Sequence, residues 1–297
     1  MTDPKLLEKV GILATEKAAS ILLRHHKNRA FTVQHKGDVN LVTDADLEAE
    51  KAIIETIRES FPSHVILSEE NKNSHNESLA GPVWIIDPLD GTTNFSHGVP
   101  HFAISIGFRE NSNNQFGIVY QPVTNEMFMA HRGQGAFLNG QKITVSKTKE
   151  INRSLIVTGF AYDRRESVQN NLSEFCHIEM SCQDLRRFGA ATLDLCYVAC
   201  GRFDGYWEHK LSAWDVAAGM LIVEEADAVQ VDRDVTWVLS DWRLTKTAEM
   251  REDFGNRHDM MHNGRVGNTV TINGRVPDAF PVRKGERIRL RLINAGK

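Results

Sequence analysis

Apolar and polar positions along the chain follow two different periods. Apolar residues recur at helical spacing from Lys5 to Lys27 and again from Asp46 to Phe61. Further helical patterns cover residues 164–175, 190–200 and 214–226. Short runs rich in β-branched and aromatic residues, which are typical of strands, lie at 65–67, 83–86, 102–108, 116–121 and 126–130. This mixture predicts an α/β fold in which sheets and helices form layers.

The apolar run at 83–86 leads directly into two carboxylates, Asp87 and Asp90, and then into a Gly-Thr-Thr turn. Pro88 disfavours the helical conformation at the residue before it, so the strand is predicted to stop at Asp87. Gly91 permits a close backbone approach, and Thr92 offers a hydroxyl group and a helix-capping oxygen. Hard divalent cations prefer carboxylate ligands, and N–H groups at turns bind phosphate. The segment indicates metal-assisted phosphate chemistry, with an ordinary Asp-Pro turn as the alternative.

Two further acidic sites border apolar elements. Glu69 and Glu70 follow the run at 65–67, and Asp215 stands where a loop turns into the helical pattern of 214–226. Each has a simpler interpretation, because Glu69 and Glu70 could be solvated loop charges and Asp215 could be a helix N-cap. Three acidic termini at the ends of apolar elements together favour a shared site over coincidence.

Composition narrows the class of protein. With 297 residues, 41% hydrophobic and 25% charged, the chain is typical of a soluble globular protein of one or two domains. No apolar stretch approaches the length of a membrane span, and the first residues lack a signal-peptide pattern. The four cysteines form no C-x-x-C pair and are predicted to be buried small apolar residues. We therefore expect a cytoplasmic location.

Several motifs together carry a resemblance to a known family. They are L-V-T-D-A-D at 41–46, S-E-E at 68–70, W-I-I-D-P-L-D-G-T-T-N-F at 84–95, R-G-Q-G-A-F-L-N-G at 132–140 and W-D-V-A-A-G at 214–219. The third and fifth motifs, in this order, are highly specific. From about Lys5 to Asp232 the chain resembles the inositol monophosphatase family, and especially its bacterial members. The resemblance implies stacked α-β-α-β-α layers and a homodimer.

The resemblance also implies roles for individual residues. The expected metal ligands are the side chains of Glu69, Asp87, Asp90 and Asp215 and the carbonyl of Leu89. Glu69 and Thr92 would orient and activate the attacking water, and the Gly91 and Thr92 N–H groups would hold the phosphate. Asp46 falls on the position of an additional, weaker metal. The expected substrate contacts are Glu208, Gly189, Ala190 and Ala191, although Ala190 replaces a usual hydroxyl residue.

The function implied is that of a phosphomonoesterase that uses two or three Mg²⁺ ions to hydrolyse inositol 1-phosphate or related sugar and polyol phosphates. Metal ions can lower the pKa of a water and neutralise the leaving oxygen, so no covalent phosphoenzyme is needed. A small-molecule phosphate ester is the expected partner. The alternative is a binding protein that keeps the fold without turnover, because some bacterial members of the family associate with transcription machinery. Copper is not expected.

The chain changes character after about Asp232. Acidic residues outnumber basic ones before this point, whereas basic residues outnumber acidic ones after it. Residues 236–297 resemble an interior fragment of a multicopper oxidase. Copper oxidase activity is therefore a third alternative, and the absence of the family's His-x-His copper motifs argues against it. We therefore predict an inositol monophosphatase-like domain at 1–232 that lacks its final strand and helix, followed by a partial cupredoxin-like segment at 233–297. A fused or frame-shifted reading frame would explain this, and it could impair catalysis.

Two features of the last 65 residues invite functional interpretation. His258 and His262 have the spacing of a shared metal site on a helix, but no third ligand is evident. The basic residues could suggest nucleic acid, but from Arg287 to Ile293 they alternate with apolar residues, as on the solvent face of a strand. The structural interpretation is favoured in both cases.

Overall fold

A computed structural model describes residues 2–28, 31–35, 41–70, 81–167, 170–227, 233–242, 269–272 and 288–294. The chain divides into two compact units, Met1–Ala228 and Val229–Lys297. The described helices are α1 (Pro4–Asn28), α2 (Asp44–Ser60), α3 (Thr92–Ser96), α4 (Leu172–Glu179), α5 (Ala191–Ala199) and α6 (Ala213–Ala226), with a 3-10 turn at Ile151–Arg153.

The described strands belong to four sheets. In the first unit they are β1 (Val33–His35), β2 (Leu41–Thr43), β3 (Val65–Ser68), β4 (Val83–Asp90), β5 (Ala103–Glu110), β6 (Asn113–Gln121), β7 (Glu126–His131), β8 (Gly135–Leu138), β9 (Gln141–Lys142), β10 (Leu155–Thr158), β11 (Asp184–Arg186) and β12 (Gly205–Trp207). In the second unit they are β13 (Arg233–Trp242), β14 (Thr269–Ile272) and β15 (Ile288–Asn294).

A seven-stranded sheet is the centre of the first unit. Its strands follow the chain in the order β3-β4-β5-β6-β7-β8-β9. The pair β3 and β4 is parallel and every later pair is antiparallel. All eight residues of β4 are buried, as expected for a strand inside a sheet that is covered on both faces.

Helices α1 and α2 cover one face of this sheet. Their apolar residues form one core with inward-facing side chains of β4, β5 and β6, among them Leu22 of α1, Ile53 of α2 and Trp84 of β4. The start of α2 is defined by a capping box, in which the Thr43 hydroxyl and the Asp46 carboxylate bond each other's backbone N–H groups.

Helices α5 and α6 cover the other face, and α6 lies unusually close to the strands. Gly107 and Gly117 oppose each other on β5 and β6. A Cβ atom on Gly117 would come within 2.9 Å of the Ala218 backbone, and one on Gly107 within 3.0 Å of the Ala217 Cβ. The missing side chains therefore allow the backbone of α6 to rest against the sheet, two residues after Asp215.

A second, all-parallel sheet of order β11-β10-β12 lies beyond α5, which contacts both β12 and the large sheet. Helix α4 contacts the edge strand β11. The succession of helices, sheet, helices and sheet agrees with the predicted layered α/β class. In the second unit, β13 pairs antiparallel with β14 and parallel with β15.

The prediction of a helix at 164–175 is wrong. Residues 162–166 form turns, and the helix in this region is α4, which begins at Leu172. The preceding Asn171 has a left-handed backbone (φ 67°) that interrupts a helix. Its buried amide donates to the Thr158 hydroxyl (2.9 Å) and the Gly159 carbonyl (2.7 Å), and accepts a bond from the Trp207 indole. Tertiary hydrogen bonds therefore override the local apolar pattern.

The predicted end of the strand at Asp87 is also wrong, because β4 continues through Pro88 to Asp90. The expected strand at Arg287 to Ile293 is present as β15. His258 and His262 lie outside the described residues.

Replacing Gly117 with alanine should destabilise the protein by about 1–3 kcal/mol, because the new methyl group meets the Ala218 backbone. Urea denaturation measures the free energy of unfolding. The matched control is Gly81→Ala, whose Cβ would meet nothing within 4 Å. This control should be neutral or gain up to about 1 kcal/mol from reduced unfolded-state entropy. Equal stability of the two variants would contradict the close contact of α6 with the sheet.

Candidate active site

A β-bulge brings the two carboxylates of β4 to one face of the sheet. Asp87 opposes Ser105 on β5 and Asp90 opposes Ala103, so three steps along β4 match two steps along β5. Side chains alternate between faces along a regular strand, so residues three apart would point to opposite sides. The extra residue restores the parity, and Asp87 and Asp90 share a face. Pro88, which has no N–H group to donate, lies within the bulge.

Asp87 is enclosed by protein and surrounded by negative charge. Only 2% of the residue is exposed, and one carboxylate oxygen, Oδ1, accepts the Leu89 N–H at 3.0 Å. Burial raises its pKa well above the usual range, and the negative charges of Glu69, Asp90 and Asp215 raise it further. The other three acidic groups predicted from the sequence are therefore close enough to Asp87 to disfavour its negative charge.

Asp90 is tied to the first turn of α5. Its Oδ2 atom accepts two bonds from Thr192, one from the backbone N–H at 2.8 Å and one from the hydroxyl at 2.5 Å. Burial raises the pKa of Asp90, whereas the bonds from Thr192 and the N–H groups of Ala191 and Gly91 lower it. Thr192 was not predicted as a site residue, although it directly follows the predicted contacts Gly189 to Ala191.

Asp215 and Glu69 approach from two other elements. Asp215 is the third residue of α6 and accepts the backbone N–H of the N-cap residue Ser212 at 2.6 Å, so Ser212 and not Asp215 is the N-cap. Burial raises the pKa of Asp215 to about 7, with contributions from Asp90 and Glu208. Glu69 directly follows β3, and its N–H donates to the Ile86 carbonyl at 3.2 Å, which holds it beside β4.

Thr92 begins the short helix α3, and the N-cap is Gly91 with a left-handed backbone (φ 89°). The predicted capping role of Thr92 is therefore wrong. Its hydroxyl lies 3.0 Å from the Leu89 carbonyl and 3.3 Å from Asp46 Oδ1. The other Asp46 oxygen accepts the N–H and hydroxyl of Thr43. Asp46 thus links the start of α2 to the loop after β4.

The segment 188–191 forms a wall beside this loop. The Asn94 amide donates to the Phe188 carbonyl (2.8 Å) and to the His101 carbonyl (2.9 Å). A Cβ atom on Gly91 would lie 3.4 Å from both the Gly189 carbonyl and the Ala190 methyl group. Ala190 is fully buried, so its side chain presents no surface to a ligand. Asn94 was not predicted as a site residue, although it belongs to the same sequence motif as Asp90 and Thr92.

Glu208 directly follows β12 and lies within electrostatic range of Asp90. The Tyr206 hydroxyl donates to its Oε2 at 2.8 Å, and the carboxylate contacts Gly159. Burial raises the pKa of Glu208, and the negative charge of Asp90 adds to this effect. Tyr162, which sequence reasoning did not single out, is half exposed, and its pKa is raised by burial and by all four acidic groups. Tyr162 therefore lies within electrostatic range of the acidic groups.

The four acidic side chains do not surround a common point among the described residues. Across the described ranges, no three acidic, histidine or cysteine side chains converge on one point as a bound metal would require. Oxygen atoms of Asp87, Asp90 and Asp215 are instead held by N–H groups of the chain. The donor set nevertheless fits a hard divalent cation, because the charged groups that act on Asp87 are all acidic and a cation would relieve their repulsion.

Comparison with known proteins assigns the family. The family model described as the inositol monophosphatase family matches residues 3–262. The chain belongs to the inositol monophosphatase family. A relative named inositol-1-monophosphatase, from Synechocystis, is 46% identical over 66% of this chain and 69% of its own length. One named Nus factor SuhB, from Haemophilus influenzae, is 41% identical over 76% of this chain and 84% of its own length.

A solved structure supports the fold. The inositol monophosphatase of Anabaena (Nostoc) is 42% identical, with a TM-score of 0.65, over 76% of this chain and 82% of that chain. The family model continues thirty residues beyond the predicted boundary at 232, into the segment that was predicted to resemble a multicopper oxidase. Among the described residues, no helix is long and apolar enough to cross a membrane.

Asp194 provides a test of the electrostatics around the site. It is fully buried on α5, and neither carboxyl oxygen has a hydrogen-bond partner among the described residues. Burial raises its pKa well above the usual range, and the charges of Asp90 and Glu208 raise it further. An acid whose pKa is raised by folding costs stability as the pH rises above its unfolded pKa of about 4.

Asp194→Asn should therefore stabilise the protein relative to wild type, and the difference should grow with pH, at up to about 1.4 kcal/mol per unit, until the folded pKa is reached. Urea denaturation between pH 5 and 8, with EDTA present, measures it. The control Asp184→Asn should show no gain with pH, because the Arg186 hydrogen bond lowers the pKa of Asp184. A stability difference for Asp194→Asn that stays constant across this pH range would refute the raised pKa of Asp194.

Proposed function

We propose that this protein is a Mg²⁺-dependent phosphomonoesterase that acts on inositol 1-phosphate or related sugar and polyol phosphates. The observation that carries the proposal is the bulge in β4, which points Asp87 and Asp90 to one face, within electrostatic range of Glu69 and Asp215. Family membership and the name of the Synechocystis relative support the same chemistry.

The proposed cation ligands are the side chains of Glu69, Asp87, Asp90 and Asp215, with the Leu89 carbonyl. Bound Mg²⁺ would lower the pKa of a water and neutralise charge on the leaving ester oxygen. Asp46 remains a candidate for a further, weaker cation. Its hydrogen bonds to Thr43 and Thr92 also give it a structural role in joining α2 to the site loop.

The chain's own groups would then orient the reactants. Thr92, with Glu69, would position the attacking water in line with the leaving oxygen. The Thr92 hydroxyl lies 3.0 Å from the Leu89 carbonyl, which is one of the proposed cation ligands. The Thr92 N–H would bind a phosphate oxygen. The N–H of Gly91 faces the Asp90 carboxylate, which makes its contribution to phosphate binding the weaker of the two.

Substrate selection would depend on the wall formed by 189–191 and on Glu208. Because Ala190 is fully buried, contacts between this wall and the substrate would come from the partly exposed residues Gly189 and Ala191. Glu208, held by the Tyr206 hydroxyl, would accept a hydrogen bond from a hydroxyl group of the polyol.

The decisive variant is Asp90→Asn, which should lower kcat/KM for inositol 1-phosphate by about 100-fold or more, because the neutral amide is a poor ligand for Mg²⁺. Phosphate release is measured with Mg²⁺ and with EDTA. The control Asp184→Asn alters an aspartate of the edge strand β11 and should keep wild-type turnover. Full activity of a folded Asp90→Asn protein would remove the cation assignment.

A second candidate function rests on the names of several relatives. Proteins named Nus factor SuhB from different bacteria are 39–41% identical to this chain and match 84% of their own length. A role as a binding partner of transcription machinery is therefore proposed as the alternative. It predicts a folded protein with no turnover on a panel of inositol, sugar and polyol phosphates, and association with a reconstituted bacterial transcription complex. Turnover without such association would favour the hydrolase.

A further inference from the structure

Thr192 has no role in the proposed reaction, yet its hydroxyl bonds one of the proposed cation ligands. Thr192 is the second residue of α5 and is fully buried. Both of its donors, the backbone N–H at 2.8 Å and the hydroxyl at 2.5 Å, bond the same atom, Asp90 Oδ2, across 102 positions of the sequence. A buried residue cannot contact substrate directly, so any effect on catalysis must pass through Asp90.

The two bonds restrain the carboxylate more than one bond would. A single donor allows the Asp90 side chain to rotate about the bond, whereas two donors from a rigid helix start fix the position of Oδ2. Because both use Oδ2, the lone pairs of Oδ1 are left to other partners. The same residue pair also ties α5 to the end of β4.

The local sequence makes Thr192 the source of this hydroxyl. In the stretch Gly-Ala-Ala-Thr-Leu at 189–193, Thr192 alone carries a hydroxyl group. Ala190, the N-cap residue of α5, makes no side-chain hydrogen bond. The hydroxyl of this segment therefore points to the acidic site and not to the helix cap.

We propose that Thr192 is a positioning residue, which holds the Asp90 carboxylate in the orientation that binds the divalent cation. The inference rests on the proposed function, since it assumes that Asp90 is a cation ligand. Partners that orient metal ligands typically contribute 10- to 100-fold to metal affinity. Loss of the Thr192 hydroxyl should weaken cation binding by about this factor.

The experiment titrates purified, substrate-free protein with Mn²⁺ and measures free Mn²⁺ by electron paramagnetic resonance. Thr192→Val keeps the shape and removes the hydroxyl, and it should raise the Kd for Mn²⁺ by about 10- to 100-fold. Thr192→Ser restores the hydroxyl and should bind within about 3-fold of wild type, because a hydroxyl donor is again present. Thr192→Ala supplies a second hydroxyl-free protein if valine packs poorly.

A matched control separates the hydroxyl's position from its burial. Thr15 of α1 is also fully buried, and its hydroxyl has no partner among the described residues. Thr15→Val should leave the Mn²⁺ affinity unchanged. Thermal unfolding by circular dichroism confirms that each variant is folded during the titration.

The outcomes distinguish this inference from the proposed function. Weaker binding by Thr192→Val and Thr192→Ala, with recovery in Thr192→Ser, supports the positioning role. Wild-type affinity in either folded hydroxyl-free variant overturns it and leaves the cation site intact. If wild-type protein itself binds no Mn²⁺, the cation site fails, and the role of Thr192 fails with it.

Discussion

The extra residue in β4 is the constraint on which the site depends. A regular strand would send Asp87 and Asp90 to opposite faces of the sheet, one toward the core under α1 and α2. The bulge lets both carboxylates face the same side while the pairing with β5 continues. It also accommodates Pro88 without the loss of a ladder hydrogen bond. A local irregularity of the backbone therefore creates the acidic site without disrupting a fully buried strand.

The other acidic groups reach this face because neighbouring elements are held close to β4. Glu69 directly follows the adjacent parallel strand β3, whose last residues pair with those before Asp87. Asp215 arrives on α6, which rests against the paired glycines of β5 and β6. Glycine at these two positions weakens the strands slightly but shortens the distance from helix to sheet. The site thus depends on backbone packing as much as on its own side chains.

The like charges gathered here oppose folding in the absence of a cation. Burial raises the pKa values of Asp87, Asp90 and Asp215, and neighbouring negative charges raise those of Asp87 and Asp215 further. Hydrogen bonds from Leu89, Thr192 and Ser212 offset part of this cost by holding single carboxylate oxygens. Such an arrangement is typical of a functional site, where stability is reduced in favour of chemistry.

The sequence by itself determined the α/β class, most of the elements and the acidic groups, because apolar periodicity and the order of the motifs are local properties of the chain. Tertiary structure alone decided that β4 continues past Asp87 and that α4 begins only after Asn171. In both cases hydrogen bonds with distant partners outweigh local preferences. The contact between Thr192 and Asp90 was likewise invisible in the sequence, since 102 positions separate two residues that only the packing of α5 beside β4 brings together.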